Sequence, residues 1–154
     1  MIEMKNVSKW YGPVQVLTDC SVNIKKGDVV VVCGPSGSGK TTLLNIVASL
    51  DKATSGHVVL DGMDLAKIKD KEISTFRRKN LGFVFQDFNL LDTFSIRDNI
   101  LLPLVLQNKS VDEMERRLVP LIAKLGLQGI ENKQPYEISG GQKQRTAVAR
   151  ALIT

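Results

Sequence analysis

The sequence has no long apolar run, only two cysteines and a single histidine. No stretch approaches the eighteen or so apolar residues that a membrane-spanning helix needs, and no signal-peptide pattern opens the chain. We therefore expect a cytoplasmic protein. In that compartment Cys20 and Cys33 are expected to be small core residues rather than a disulfide or a metal site.

Length and charge set the broad class. The chain has 154 residues, of which 43% are hydrophobic and 24% charged, as in an ordinary globular domain. The net charge of +5 is spread along the chain and is densest at residues 77–79 and at Lys143, Arg145 and Arg150. We interpret these residues as a solvated or phosphate-facing helix surface and expect no nucleic-acid partner, although a nucleic-acid surface is the alternative.

The most informative feature is the pattern G-x-x-x-x-G-K-[ST] at residues 34–41. A β-branched run at 29–33 precedes it and predicts a buried parallel strand, while the residues from Thr42 onward predict a helix. Backbone N–H groups in such a glycine-rich turn converge on phosphate oxygens, and the helix dipole favours the negative charge. This context disfavours the alternative of an ordinary glycine-rich turn. The chain is predicted to bind a nucleoside triphosphate, or to descend from a protein that bound one.

Two side chains of this loop have expected roles. Lys40 is expected to reach the β- and γ-phosphates, and the Thr41 hydroxyl is expected to hold Mg²⁺. The predicted nucleotide-binding residues of the loop are Gly34, Pro35, Ser36, Gly37, Ser38, Gly39, Lys40, Thr41 and Thr42.

The rest of the chain divides into strands and then helices. Strands are predicted at residues 2–7, 22–24, 57–60 and 81–85, with a tight turn at Asp61-Gly62 and a helix at 71–80. Three serine caps, Ser95, Ser110 and Ser139, predict helix starts. The first helix is expected to be interrupted by Pro103. The second is expected to be kinked by Pro120 and to stop at Gly126.

The third of these caps predicts a second anion site. In Ile138-Ser139-Gly140-Gly141-Gln142 a serine and two glycines lie at a helix N-terminus and leave N–H donors uncovered. Such a site suits a γ-phosphate that arrives from elsewhere. The alternative is a plain capping box.

At this point the chain resembles the nucleotide-binding subunits of ATP-binding cassette (ABC) transporters. Their signature, L-S-G-G-Q followed by Q/K-Q-R and an alanine-arginine-alanine helix, is similar to residues 138–145 and 149–151, with isoleucine in place of leucine. Residues from about Phe76 onward, including 85–92 and 99–104, resemble exporters and detoxifiers of antimicrobial peptides such as bacitracin. Residues 7–12 and 29–35 resemble polar amino-acid importers, which suggests a mosaic, natural or constructed.

The resemblance implies an α/β fold. It is a P-loop NTPase three-layer core with an N-terminal antiparallel β subdomain and a helical insertion, incomplete at the C-terminus. The implied divisions are residues 1–86 for the core with the β subdomain, 87–137 for the helical subdomain, and 138–154 for the signature and the helix that returns to the core.

The resemblance also assigns site residues. Tyr11, in the segment Lys9-Trp10-Tyr11-Gly12, is implied to stack on adenine, although it is also a plausible packed aromatic. Gln86 is implied to complete the Mg²⁺ shell and to act with Lys40 in catalysis, although a glutamine at the end of an apolar strand is equally explained as an exposed loop residue. The residues implied to contact the ATP held by a second molecule are Ser139, Gly140, Gly141 and Gln142.

The implied partners are a transmembrane permease and a second copy of the chain, facing it head to tail across two ATP molecules. The subunit would then lie on the inner face of the membrane. Residues 87–137 are implied to hold the groove for the permease, with four candidate contacts that core packing explains equally well. These are Phe88, Leu90, Leu91 and Phe94.

The chain departs from the family pattern after the signature helix. No apolar strand ending in Asp-Glu is present, and no switch histidine follows it, since His57 comes far too early and receives no role. About two thirds of such a domain is represented. We expect an unpaired phosphate-loop strand whose exposed edge favours self-association, and ATP hydrolysis that is weak even if nucleotide binds.

Other function classes remain. A soluble ABC-type ATPase acting in DNA repair or on the ribosome is one alternative, and a truncated or chimeric nucleotide-binding module without a transport role is another. A small-molecule kinase has no use for the signature segment. A GTPase needs an Asn-Lys-x-Asp element, which residues 108–111 do not supply.

Overall fold

The computed structural model describes the whole chain, from Met1 to Thr154. It contains two compact units, Met1–Ser74 and Thr75–Thr154. The implied divisions at residues 86 and 137 stay predictions. None of the helices is long and apolar enough to cross a lipid bilayer.

An antiparallel sheet forms most of the first unit. Its strands are β1 (Ile2–Tyr11), β2 (Val14–Ile24), β3 (Ser55–Leu60) and β4 (Met63–Asp64), in the order β2-β1-β3-β4. The predicted turn at Asp61-Gly62 joins β3 to β4, with both residues at positive φ, as this kind of hairpin requires. The antiparallel β subdomain is therefore confirmed.

Two strands are longer than predicted. Strand β1 extends to Tyr11, and β2 begins at Val14 rather than at residue 22, because the two form a continuous hairpin from the pair Tyr11–Val14 to the pair Ile2–Ile24. The polar residues between Val14 and Ile24 hide this pairing from a hydrophobic pattern. The hairpin supplies the backbone hydrogen bonds that hold them in the sheet.

Helix α1 (Lys40–Val47) covers the sheet. Its buried Ile46 packs with Met4, Val7, Leu17 and Val58 in the core of this unit. A 3₁₀ turn (Leu65–Lys67) follows β4, and helix α2 (Asp70–Asn80) confirms the helix predicted at 71–80.

The second unit is helical. It contains α3 (Ile96–Val105), α4 (Val111–Leu125), a 3₁₀ turn (Pro135–Glu137) and α5 (Gly140–Leu152). The predicted caps are confirmed, since the Oγ atoms of Ser95, Ser110 and Ser139 accept the amide of the third helical residue at 3.0, 3.3 and 3.3 Å. Gly126 ends α4 in the left-handed conformation, also as predicted.

Proline does not interrupt α3, contrary to the prediction. The helix continues through Pro103 to Val105. A proline at this position removes one backbone hydrogen bond. The next residue, Leu104, is fully buried with Ile100, Leu118 and Ile122 in the core of this unit, and that packing holds the helix together.

Two predicted strands are absent. Residues 29–33 and 81–85 carry no strand pairing, and Val29 is 92% exposed. A parallel strand is stable only between neighbours that pair with it and helices that cover it. The expectation of a buried strand is wrong for this chain, whereas the expectation that the segment before the phosphate loop is unpaired is confirmed.

The two cysteines differ. Both are free thiols. Cys20 is half-buried and packs against the core of the first unit, as predicted. Cys33 is exposed rather than buried, because it belongs to the unpaired segment.

Candidate nucleotide-binding site

The loop at residues 34–41 leads into an uncapped helix. Helix α1 begins at Lys40, its N-cap is Gly39, and no side chain accepts a hydrogen bond from its first turn. The first intrahelical bond joins the Leu43 amide to the Gly39 carbonyl at 2.8 Å. The amides of Lys40, Thr41 and Thr42 precede that bond and so have no acceptor within the helix, which makes this tip a source of donors for an anion.

Gly39 also fixes the loop against the sheet. Its φ is +85°, and a Cβ there would lie 2.9 Å from Leu17 Cδ2 and 3.0 Å from the Val16 carbonyl oxygen. The first contact would force the Leu17 side chain to shift, and the second is tighter than most real Cβ contacts. The glycine therefore lets the start of α1 approach β2 closely, a role that the motif alone does not reveal.

Lys40 lies back across the loop. Its Nζ donates to the carbonyl oxygens of Gly34 at 2.8 Å and Pro35 at 2.6 Å, and it lies 3.4 Å from Ser38 Oγ. The ammonium is thereby held above the turn where the sequence predicts phosphates. Thr41, the predicted magnesium ligand, is exposed on the first turn of the same helix.

Tyr11 ends β1 beside the same helix. Its hydroxyl donates to Asp51 Oδ2, and it also interacts with the Thr42 side chain. The hydrogen bond to the Asp51 carboxylate, with a smaller contribution from burial, raises the pKa of the Tyr11 phenol above its ordinary value. The structure thus brings together two predicted site residues, Tyr11 and Thr42.

The residues that hold Tyr11 were not predicted from the sequence. Lys9 Nζ donates to Asp51 Oδ1 at 2.6 Å and lies 4.7 Å from the centre of the Tyr11 ring. Partial burial acts to raise the pKa of the Asp51 carboxyl. Hydrogen bonds from Lys9, Tyr11 and the Lys52 amide outweigh this effect and lower the pKa below its ordinary value.

The predicted second anion site lies at the start of α5. Ser139 and Gln142 form a complete capping box, in which the Ser139 amide donates to Gln142 Oε1 at 2.8 Å. Ser139, Gly140 and Gly141 are exposed. A Cβ on Gly140 would meet nothing within 4 Å, so a ligand has free access to this helix tip. The capping box is therefore formed and the tip is open, while the second anion site stays a prediction.

Gln86 lies in an exposed turn after the irregular segment 81–85. The turn continues into Phe88 and Asn89, both at positive φ, whose carbonyl oxygens accept hydrogen bonds from Arg150 at 2.6 and 2.7 Å. Arg150 is half-buried, and burial lowers its pKa. Gln86 and the signature belong to the second unit and the phosphate loop to the first, so the roles given to Gln86 in catalysis and metal binding stay predictions.

No group of three or more histidine, cysteine, aspartate or glutamate side chains is arranged to hold a metal ion. A metal bound at the phosphate loop would instead use the Thr41 hydroxyl together with phosphate oxygens. Mg²⁺ characteristically binds in this way, with few protein ligands.

Comparisons with known proteins agree with this geometry. The family model described as ABC transporter matches residues 17–154. The ATP-binding protein YxdL of Bacillus subtilis is 49% identical over 99% of this chain, and the bacitracin export ATP-binding protein BceA of Halalkalibacterium halodurans is 42% identical over 99%. The chain spans 61% and 62% of the lengths of these two relatives. Each match therefore covers both the part likened to exporters and the part likened to importers.

Solved structures show the same fold. The dimeric structure of MJ0796, described as a bacterial ABC transporter cassette, superposes with a TM-score of 0.88 at 40% identity. The match covers 99% of this chain and 69% of that one. A second structure of that cassette, in a post-hydrolysis state bound to ADP and Pi, gives a TM-score of 0.87. With its sequence and its fold both matched along nearly all its length, this chain belongs to the ABC transporter family of ATP-binding cassettes.

Proposed function

We propose that this chain is the nucleotide-binding part of an ABC transporter subunit, which binds Mg–ATP and passes the energy of binding to a partner permease. The observation that carries the proposal is the uncapped first turn of α1, together with the Lys40 ammonium held across the loop that precedes it. Three free amides and one ammonium at a helix N-terminus form a site for a triphosphate.

Different site residues would bind different parts of the ATP molecule. The amides of the loop and of the first turn of α1 would hold the phosphates, Lys40 would neutralise the β- and γ-phosphates, and the ring of Tyr11 would stack on the base. Thr41, with Gln86, would hold Mg²⁺, which neutralises charge on the phosphate oxygens. The hydroxyl and the amide suit this ion because it prefers oxygen ligands.

The exposed tip of α5 would complete the site of a second molecule. The amides of Gly140 and Gly141, in the first turn of α5, have no acceptor within the helix, and a γ-phosphate presented by another copy would find the same kind of donors as at α1. This arrangement makes the ATP-bound state dimeric. The likeness to a dimeric cassette supports it.

The partner permease is expected to dock on the helical part of the chain and to hold it against the inner face of the membrane. Among the four candidate contacts, Leu91 and Phe94 are exposed, while Phe88 and Leu90 are half-buried. Two exposed apolar side chains on one loop favour a contact surface at this place.

The experiment is sedimentation velocity with and without Mg–ATP on three proteins: wild type, Ser139→Asp and Ser110→Asp. Aspartate caps a helix as well as serine does, so both variants keep their helices. At Ser139, however, it places a negative charge where the γ-phosphate of the partner would bind. Ser110 caps α4, outside the site, and provides the matched control.

We expect wild type and Ser110→Asp to dimerise with ATP, and Ser139→Asp to bind ATP with unchanged affinity but to remain monomeric. Dimerisation of Ser139→Asp equal to that of wild type would show that the signature does not bind the partner's nucleotide. Association that is the same with and without ATP would instead indicate pairing of exposed sheet edges.

A further inference from the structure

We propose that Lys9 and Asp51 are positioning residues for the base of the nucleotide, because together they fix the ring of Tyr11. The proposal rests on the proposed function, since it takes ATP as the ligand. Lys9 contacts the face of the ring, and Asp51 accepts a hydrogen bond from its hydroxyl.

Lys9 is buried because β1 is irregular. The pairing with β2 shifts register between Val7 and Lys9, and Val7, Ser8 and Lys9 are all buried although a regular strand would expose every second residue. Lys9 is only 8% exposed. A buried ammonium must be paired, and this one donates to Asp51 Oδ1 at 2.6 Å and to the Lys52 carbonyl oxygen at 2.7 Å.

The ammonium also lies against the ring of Tyr11, 4.7 Å from its centre. This is within the range of a cation–π interaction, which is stronger when the cation is withdrawn from water. The Tyr11 hydroxyl donates to the other oxygen of the same carboxylate, Asp51 Oδ2. The ring is thus held at its face by Lys9 and at its hydroxyl by Asp51, while Tyr11 remains 49% exposed and can accept a base.

Asp51 is in turn fixed to the helix that carries the phosphate loop. Its amide donates to the Asn45 carbonyl at the end of α1 at 3.1 Å. The following segment is attached to β1, where the Thr54 amide donates to the Ser8 carbonyl at 2.9 Å and Thr54 Oγ1 accepts from the Trp10 amide at 3.0 Å. Helix α1 therefore carries the phosphate loop at its first turn. At its last turn it holds Asp51, which in turn positions the ring of Tyr11.

This arrangement separates base binding from phosphate binding. Loss of Lys9 frees the ring but leaves the amides of α1 and the Lys40 ammonium in place. The affinity for ATP should then fall, whereas the affinity for inorganic triphosphate, which has no base, should not. A preorganised ring binds more tightly because its ordering cost is already met in the free protein.

The test measures the dissociation constants of Mg–ATP and of Mg–triphosphate by calorimetry for wild type, Lys9→Met, Lys9→Arg and Lys5→Met. Lys5 lies on the same strand with an exposed side chain and is the matched control. We expect Lys9→Met to lose about tenfold in ATP affinity, within the range that base–aromatic stacking provides, and to keep its triphosphate affinity. Lys9→Arg, which retains the cation, should recover most of the loss.

A double-mutant cycle distinguishes positioning from a general effect on stability. In a Tyr11→Ala background Lys9→Met should cost no further ATP affinity, because there is no ring left to position. Tyr11→Phe, which keeps the ring but loses the hydrogen bond to Asp51, should behave like a mild version of Lys9→Met. Because the Tyr11 side chain is exposed, this substitution should not impair folding.

Three results would overturn the inference. They are unchanged ATP affinity in Lys9→Met, an equal loss of ATP and triphosphate affinity, and full additivity with Tyr11→Ala. Failure of the folded wild type to bind either ligand would instead contradict the proposed function itself.

Discussion

The side-chain amide of Asn99 forms hydrogen bonds with both backbone groups of Leu91. Its Oδ1 accepts from the Leu91 amide at 2.8 Å, and its Nδ2 donates to the Leu91 carbonyl at 3.0 Å. The same Nδ2 lies 3.1 Å from the Phe94 carbonyl oxygen and 3.0 Å from that of Ser95. Asn99 is fully buried, so one side chain of α3 holds the loop that presents the exposed Leu91 and Phe94.

We predict that Asn99→Ala lowers the free energy of unfolding by about 1–3 kcal/mol, because it leaves buried backbone groups without partners. Urea denaturation followed by circular dichroism measures the effect. Asn132→Ala, at an exposed asparagine, is the control and should stay within about 0.5 kcal/mol of wild type. Equal stability of the two variants would show that water replaces the lost bonds and that Asn99 does not hold the loop.

Two glycines of the phosphate loop should respond differently to alanine. Both have φ near +80°, but a Cβ on Gly37 meets nothing within 4 Å, whereas on Gly39 it would collide with Leu17 and Val16. We predict that Gly37→Ala costs about 1 kcal/mol from backbone strain and that Gly39→Ala costs at least about 1 kcal/mol more. Thermal unfolding of both variants checks this. A difference within experimental error would mean that α1 moves away from β2 without loss.

The Lys40 ammonium should be the largest single side-chain contribution to phosphate binding. Charge-assisted hydrogen bonds contribute about 1.5–3 kcal/mol. Lys40→Met should therefore weaken Mg–ATP binding by about 10- to 100-fold. Lys52→Met, which removes an exposed lysine paired with Asp70, is the control and should leave the affinity unchanged. If both variants bound ATP like wild type, the ammonium would make no direct contact with phosphate.

The hydrogen bond to Asp51 should make the Tyr11 phenol titrate with a pKa above its ordinary value. Its pKa is raised in the folded chain above the ordinary value of about 10. The folded state then holds this proton more tightly than the unfolded state does. The stabilisation is fully present below about pH 10 and is lost as the pH rises through the folded pKa.

Phenolate absorbance in a Tyr136→Phe background measures this pKa, because the chain contains two tyrosines. Asp51→Asn removes the carboxylate and should return the midpoint towards the ordinary value. An identical midpoint in the two proteins would show that the hydrogen bond from Tyr11 to Asp51 is not formed in solution.

Much of the site was predictable because its signals are local. The glycine and lysine pattern at 34–41, the serine caps at Ser95, Ser110 and Ser139, and the Asp61-Gly62 turn each depend on a few adjacent residues. Local backbone chemistry decides such features, and the structure confirms the caps and the turn.

The errors and omissions depend on distant partners. Residues 29–33 have the composition of a strand, but a strand forms only where another pairs with it, and composition does not show that. Asp51 was missed because its side-chain partners, Lys9 and Tyr11, lie 42 and 40 residues away in the sequence. Asn99 was missed because its partners are backbone groups, the first of them eight residues away at Leu91. Lys9 carried one available signal, because it lies in the same short segment, residues 9–12, as the tyrosine implied to stack on the base.

The central claim is that the uncapped amides at the start of α1 bind a triphosphate. Amide hydrogen exchange of the folded chain, followed residue by residue with and without Mg–ATP, tests it most directly. We predict strong protection of the amides at residues 36–42 that depends on ATP and is lost in Lys40→Met. Unchanged exchange at these amides under saturating Mg–ATP, or protection confined to other residues, would contradict the claim.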